Sequence, residues 1–511
     1  MSKRDKEKYN ILLITSDQQH YMTLGVNNPQ IKTPNLDRLA SMGTTFDRAY
    51  TCNPTCTPTR ASIITGKYPS QHGAWTLGTK LPETEHCVGE DFSNAGYKTA
   101  LIGKAHFQPL QSTEKYDSLE AYPILQDLDF WRKFNGPFYG FDHVELARNH
   151  TDEAHVGQHY AVWMEENGAT NWRDWFSKPT GNKDRQQHTW NIPEKYHYNN
   201  WISQRTNDLL EQYASENENF FLWASFFDPH PSYLIPEPWA SMYDPRDIEL
   251  PPMPENKLQD MPPHYGLTQL EESKCEKEFD KYQEPGGNYC HGFHSHIVSD
   301  KQKRKDIAVY YGMVSMMDHY IGKILDNLDS LGLTEKTLIV FTTDHGHYYG
   351  QHGLTAKGAF HYEDGIKIPM IASLPGKIEA NHHTDSLQSV VDLAPTFLSI
   401  ANLEIPYPMT GIDQKQQWFG EKETLRNWVI CENHHQPTTI NARTFITPNH
   451  KITIYCNQTY GEMFDLKNDP HENTNLWDIE KHAELKNKLI SQFLNAELER
   501  ESKYMPRIAN A

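Results

Sequence analysis

The sequence lacks the positive charge that a nucleic-acid binder presents. Lys and Arg number 48 against 67 Asp and Glu, leaving a formal charge of −19, so no basic face is at hand to follow a phosphate backbone. It also lacks a run of the ~18 apolar residues that cross a bilayer. Residues 1–8 are charged and lead straight into a strand-like segment, without an apolar leader core or a small-residue cleavage site. The cytoplasm is therefore the expected compartment, with neither nucleic acid nor membrane as partner. Cysteine is sparse. Cys52, Cys56, Cys87, Cys275, Cys290, Cys431 and Cys456 are odd in number and scattered, which argues against a disulfide framework and against a Cys-x-x-Cys zinc cluster. There is no internal repeat and no low-complexity tract.

What is present is enough apolar material for a large core. Hydrophobic residues make up 37% of 511, and aromatics 12%, which suits one large domain plus a small one. Residues 9–16 form a largely apolar run that ends in polar residues, the pattern of a buried parallel strand. A helix is predicted next, with Thr33 as cap, Pro34 in first position, Leu36, Leu39 and Ala40 on its apolar side and Gly43 at its end. The alternation recurs. Strands are predicted at 98–103, 220–225 and 337–341, and helices at 201–214 and 306–331. Such a rhythm gives an α/β fold, a large mostly parallel sheet sandwiched by helices. Insertions are expected at about 109–200, which carries Trp131, Trp163, Trp172, Trp175 and Trp190, and at about 236–295, rich in Pro, Glu and Tyr. These rings either stack on sugars or, more ordinarily, fill the core. Beyond about 428, antiparallel strands and a helix at 479–498 indicate a small α+β domain. The expected division is 1–420 and 421–511.

Four polar clusters stand out, three of them directly after predicted strands, where open α/β sheets bind ligands. Asp17-Gln18 offers adjacent oxygen ligands for a divalent cation. Cys56-Thr57-Pro58-Thr59-Arg60 places a nucleophile at a helix start beside a fixed cation. Lys104 and His106, two apart on an irregular segment, are suited to face one bound anion. Asp344-His345, followed by glycines and Lys357, is a metal half-site. A metal, a nucleophile and several cations at one sheet edge suit attack on an anionic ester.

Cys56-Thr57-Pro58-Thr59-Arg60 resembles the signature of type I sulfatases of the alkaline-phosphatase superfamily, and the resemblance runs over nearly the whole chain. It is supported by residues 33–40, Thr65-Gly66, Gly103-Lys104-Ala105-His106, Asp228-Pro229-His230-Pro231 and the segment Phe464 to Pro470 with Asn475-Leu476. The resemblance implies that a separate formylglycine-generating enzyme oxidises Cys56 to formylglycine. One hydroxyl of the resulting hydrate, held on the metal, attacks sulfur and releases the alcohol. Deprotonation of the other, with collapse to the aldehyde, expels sulfate. It further implies that Asp17, Gln18, Asp344 and His345, with residue 56, hold one divalent cation. Arg60 and His106 orient the hydrate, Lys104 and Lys357 bind sulfate oxygens, and His230 assists at the leaving-group side. The family favours calcium. Gln18 and His345, where sulfatases usually carry Asp and Asn, resemble phosphonate monoester hydrolases and admit manganese, magnesium or zinc. The expected reaction is hydrolysis of a small sulfated substrate, a saccharide or an aryl or alkyl sulfate. The alternatives are a phosphonate monoester or phosphodiester hydrolase and an inactive sugar-binding relative. A homo-oligomer is compatible with the sequence.

Overall fold

Asn10–Ser16 (β1) is buried along its whole length, and burial on both faces is what a central strand of a parallel sheet requires. The protein is described by a computed structural model that covers residues 8–148, 156–176, 189–251, 261–270, 298–435 and 438–510. In chain order the elements around β1 are Pro34–Ser41 (α1), Thr44–Phe46 (β2), Cys56–Thr65 (α2), Lys98–Gly103 (β3), His143–Leu146 (β4), Tyr198–Glu216 (α3), Phe220–Ser225 (β5), Asp300–Ser330 (α4), Thr337–Thr343 (β6), Met370–Ser373 (β7) and His382–Thr384 (β8). The eight strands make one sheet in the order β8-β2-β7-β6-β1-β5-β3-β4. Within it β7 runs against its two neighbours, while β6, β1, β5, β3 and β4 are mutually parallel. The predicted strands and the two long helices are all found, with α4 beginning at Asp300, earlier than expected, where the Ser299 hydroxyl accepts from the Gln302 N–H (3.3 Å).

The core lies between this sheet and its helices. Ile11, Leu12, Leu13 and Ile14 are fully buried, as are Leu338, Val340 and Phe341, and each such side chain contributes roughly 1.5–3 kcal/mol of apolar transfer. Helix α1 buries Leu36, Leu39 and Ala40 as expected, but Thr33 does not cap it. The Thr33 hydroxyl is taken up by Gly25 and Asp37. The first-turn N–H groups of Asn35 and Leu36 donate instead to the carboxylate of Asp318 on α4, at 3.2 and 2.7 Å. A capping acceptor thus comes from a helix almost three hundred positions away.

The inserted tryptophans belong to the core. Trp131, Trp163, Trp172 and Trp190 are buried, and Trp175 stacks on Tyr196 at 5.3 Å. Residues 149–155 and 177–188 of the first insertion, and 252–260 and 271–297 in and beside the second, lie outside the described residues, as do Cys275 and Cys290. Cys52, Cys56, Cys87, Cys431 and Cys456 are free thiols. No described helix is long and apolar enough to cross a membrane.

From Val429 the pattern becomes antiparallel. Val429–His434 (β9), Asn441–Ile446 (β10), His450–Tyr455 (β11) and Gly461–Asp465 (β12) form a four-stranded meander. Ala483–Glu499 (α5) covers it with Leu489, Phe493 and Ala496. A buried network joins this small domain to the large one: Lys451 on β11 pairs with Glu363 (3.2 Å) and with Glu472, and Glu472 accepts the Glu363 N–H.

Candidate active site

The register of the sheet assembles the site. Ser16 lies opposite Thr343, Thr15 opposite Ser225, and Ser225 opposite Gly103. Four parallel strands therefore end at one level, and the residues after them, Asp17, Asp344, Lys104 and the Asp228 segment, leave the sheet side by side. Gly103 permits this closeness. Its φ is +109°, and a Cβ there would sit 2.0 Å from the Ser225 carbonyl oxygen.

Asp344 is the hub. Its Oδ1 accepts the N–H groups of Gln18 (3.0 Å) and His345 (2.9 Å), and its Oδ2 accepts from Arg60 Nε (2.9 Å). Gln18 has φ +61°, a left-handed conformation that costs a non-glycine residue roughly 1–3 kcal/mol. The Asp344 bond and the Tyr310 hydroxyl, which donates to the Gln18 carbonyl (2.9 Å), hold it there.

Cys56 opens α2, a helix whose ten residues are all buried. Its Sγ lies 3.2 Å from His345 Nε2, 3.7 Å from Asp17 Oδ1 and 2.9 Å from Lys357 Nζ. One ligand atom from each of Asp17, Cys56, Asp344 and His345 lies within 4.8 Å of the others. The His345 Nδ1 faces the Gly346 carbonyl at 3.0 Å. That carbonyl can only accept, so Nδ1 bears the proton and the Nε2 lone pair is left for the cluster.

Gln18 adjoins this cluster through its N–H bond to Asp344. Its Nε2 is 2.8 Å from His347 Nδ1, and His347 Nε2 is 2.9 Å from the Tyr233 hydroxyl. Its Oε1 is buried with no hydrogen-bond partner. A buried acceptor left so costs ~1–3 kcal/mol. A divalent cation would satisfy this oxygen and offset the two carboxylates beside it, so the residues fit a metal with O/O/O/N ligands.

The cations are disposed differently. Burial alone would raise the Asp17 carboxyl. It is outweighed chiefly by Lys104, whose ammonium pairs with Asp17 Oδ2, and the carboxyl stays well below the usual range. Arg60 is enclosed. Its NH1 donates to the Lys104 carbonyl (2.9 Å) and Ser225 Oγ (2.8 Å), while its NH2 has no hydrogen-bond partner and lies 3.9 Å from Asp17 Oδ2. Lys357 Nζ sits between Cys56 Sγ, His345 Nε2 and His230 Nε2, the last two at 3.4 Å. Burial pushes His230 well below the ordinary histidine range, and Lys357 and Lys104 add to this, so its ring is neutral near pH 7. Burial and Asp17 push the Cys56 thiol up, yet Lys104 and Lys357 together bring it below the usual cysteine value.

Asp17, Gln18, Cys56, Arg60, Lys104, His230, Asp344, His345 and Lys357 thus converge. His106 stands at the edge of the group. Its Nε2 is 2.7 Å from Arg148 NH2, and its N–H donates to Glu120 (2.9 Å). No sequence motif marks Arg148 or Glu120, and His347 lies two residues beyond His345. Asp228 is likewise enclosed. Burial pushes its carboxyl up to about 7 although Tyr198 and Asn199 donate to it.

Comparison with known proteins bears on this arrangement. A family model described as Sulfatase matches residues 9–403, and one described as N-sulphoglucosamine sulphohydrolase, C-terminal, matches 350–499. An arylsulfatase of Clostridium perfringens is 28% identical, covering 93% of this chain and 92% of its own. An N-acetylglucosamine-6-O-sulfatase of Bacteroides thetaiotaomicron is 25% identical, covering 96% and 86%. The phosphonate monoester hydrolase of Silicibacter pomeroyi shares the fold with a TM-score of 0.77 at 20% identity, covering 97% of this chain and 96% of its own.

Proposed function

The chain belongs to the sulfatase family, and we propose that it hydrolyses the sulfate ester of a saccharide or an aryl or alkyl alcohol through residue 56, oxidised to formylglycine. The observation that carries this reading is the enclosure of Cys56 within reach of Asp17, His345 and Lys357. A thiol serving only as packing would not need that company.

A divalent cation held by Asp17, Gln18, Asp344 and His345, together with residue 56, supplies charge neutralisation and Lewis acidity when bound. The chain's residues do the rest. Arg60 fixes the carboxylate of Asp344 and the turn at Lys104. Lys357 and Lys104 neutralise the oxygens of the transferred group, in a dry site where such contacts act strongly. Neutral His230 accepts from the Lys357 ammonium, and this pair holds the proton that the departing alkoxide needs. The products are the alcohol and inorganic sulfate.

Mass spectrometry of the peptide containing residue 56 tests the nucleophile. Formylglycine is expected, in an enzyme produced alongside a formylglycine-generating enzyme, and an unmodified cysteine in fully active protein would overturn the reading. A second reading is favoured by one observation, that Gln18 and His345 are uncharged ligands. Such a centre suits a phosphonate monoester as well. Rates on an aryl sulfate and an aryl phosphonate monoester, measured side by side, decide between them.

A further inference from the structure

We propose that Arg148 and Glu120 form a clamp that fixes His106 with its proton on Nδ1, so that His106 acts in the reaction as a hydrogen-bond donor and never as a base through Nε2. This rests on the reading of His106 as an active-site residue.

The argument begins with what each group can do. A guanidinium carries N–H donors only and keeps its proton in proteins. Arg148 is fully buried, and its NH2 lies 2.7 Å from His106 Nε2. Nε2 must therefore accept, and the ring proton resides on Nδ1. Glu120 holds the other end of the arginine, taking NH1 at 2.9 Å. The same carboxylate accepts three successive backbone N–H groups, from His106 (2.9 Å), Phe107 (2.8 Å) and Gln108 (3.1 Å), the concave arrangement that peptide amides offer to an anion. One ion pair thus grips both the backbone and the ring of His106. This accounts for the φ of +59° at that residue, a conformation that persists only where surroundings impose it.

The clamp also explains why Arg148 does not serve as another cation for the substrate. Its charge is matched by Glu120, and its two terminal nitrogens are both engaged. Arg148 and Glu120 are positioning residues, acting through His106.

The test uses the full-length, metal-loaded enzyme labelled with 15N-histidine. Long-range 1H–15N correlation spectra report which ring nitrogen carries the proton, and the His106 signal is identified by its loss in His106→Gln. A protonated Nδ1 with a bare Nε2 is expected. Arg148→Met should mix the two tautomers and lower kcat by about 10–100-fold, the usual effect of removing a partner that orients a functional histidine, with KM within about twofold. Arg148→Lys, which also only donates, should recover most of the kcat. An Nε2-protonated or doubly protonated ring in the wild type overturns the proposal. So does a folded Arg148→Met that keeps wild-type kcat or changes only KM. If Arg148→Met does not fold, the wild-type spectrum and Arg148→Lys decide. If His106→Gln keeps wild-type kcat/KM, it is the role of His106 that fails, while the ring spectrum still judges the clamp.

Discussion

Replacing Lys357 by Met removes a charge while keeping most of the side chain's volume. Lys357 Nζ is 2.9 Å from the Cys56 sulfur, which on the proposed reading places it where negative charge builds on the transferred group. Removing one preorganised donor from such a position costs about 2.7–4 kcal/mol. At 1.36 kcal/mol per decade this is a fall of about 100–1,000-fold in kcat/KM. Lys104 cannot compensate, because its ammonium is already shared with Asp17. Stability is not expected to rise. Burial works against the ammonium, but Cys56, Asp17 and Asp344 outweigh it and hold Lys357 above the ordinary lysine value, so the Tm of Lys357→Met should not exceed that of the wild type. The assay is steady-state kinetics on an aryl sulfate with metal and formylglycine contents matched between the two proteins. A loss below tenfold, or a Tm clearly higher than the wild type's, would refute the reasoning.

Cys56→Ala should abolish turnover while leaving the melting curve near the wild type's, checked by calorimetry and a sulfate-release assay. Asp17→Asn should lower bound divalent metal, measured by elemental analysis of protein purified without chelator, because it removes a charged ligand from the Asp17, Cys56, Asp344 and His345 cluster. Glu145 on β4 is held at about 2: burial raises it, but His143 and Arg205 outweigh burial. The unfolded chain then takes up this proton first as pH falls. The contribution, about 3 kcal/mol, is complete above about pH 4.5 and lost toward pH 2. Urea denaturation should show the stability gap between wild type and Glu145→Gln narrowing by more than half from pH 7 to pH 3, and an unchanged gap would dispose of the assignment. Asp318→Ala removes the acceptor for two N–H groups of α1 and should cost about 1–2 kcal/mol in the same denaturation assay.

The central strands were legible because burial on both faces leaves a continuous apolar run, and the polar residues after β1 and β6 were legible because each run stops abruptly. Register then did what no sequence pattern states. It set Ser16 opposite Thr343 and so turned two separate clusters into one centre. The reversed strand β7 and the short strands β2 and β8 have too few residues for a period to show. Thr33 has the type and place of a cap, while the acceptor actually used, Asp318, is fixed by the packing of α1 on α4. Arg148 and Glu120 are likewise set by packing and not by any local pattern. They lie 42 and 14 positions from His106, with nothing in their neighbourhoods to mark them.

The burial of α2 imposes an order in time. Cys56 to Arg60 are synthesised early, yet Arg60 is finally locked by Asp344, 284 positions later. Until β6 arrives, Arg60 has its partners at the ends of β3 and β5 but lacks Asp344, and on the proposed reading this is the interval in which an enzyme can still read Cys56 to Arg60. Once β6 docks beside β1, all ten residues of α2 are sealed, and a macromolecule no longer reaches them. On the proposed reading, the oxidation of residue 56 therefore has to precede the docking of β6.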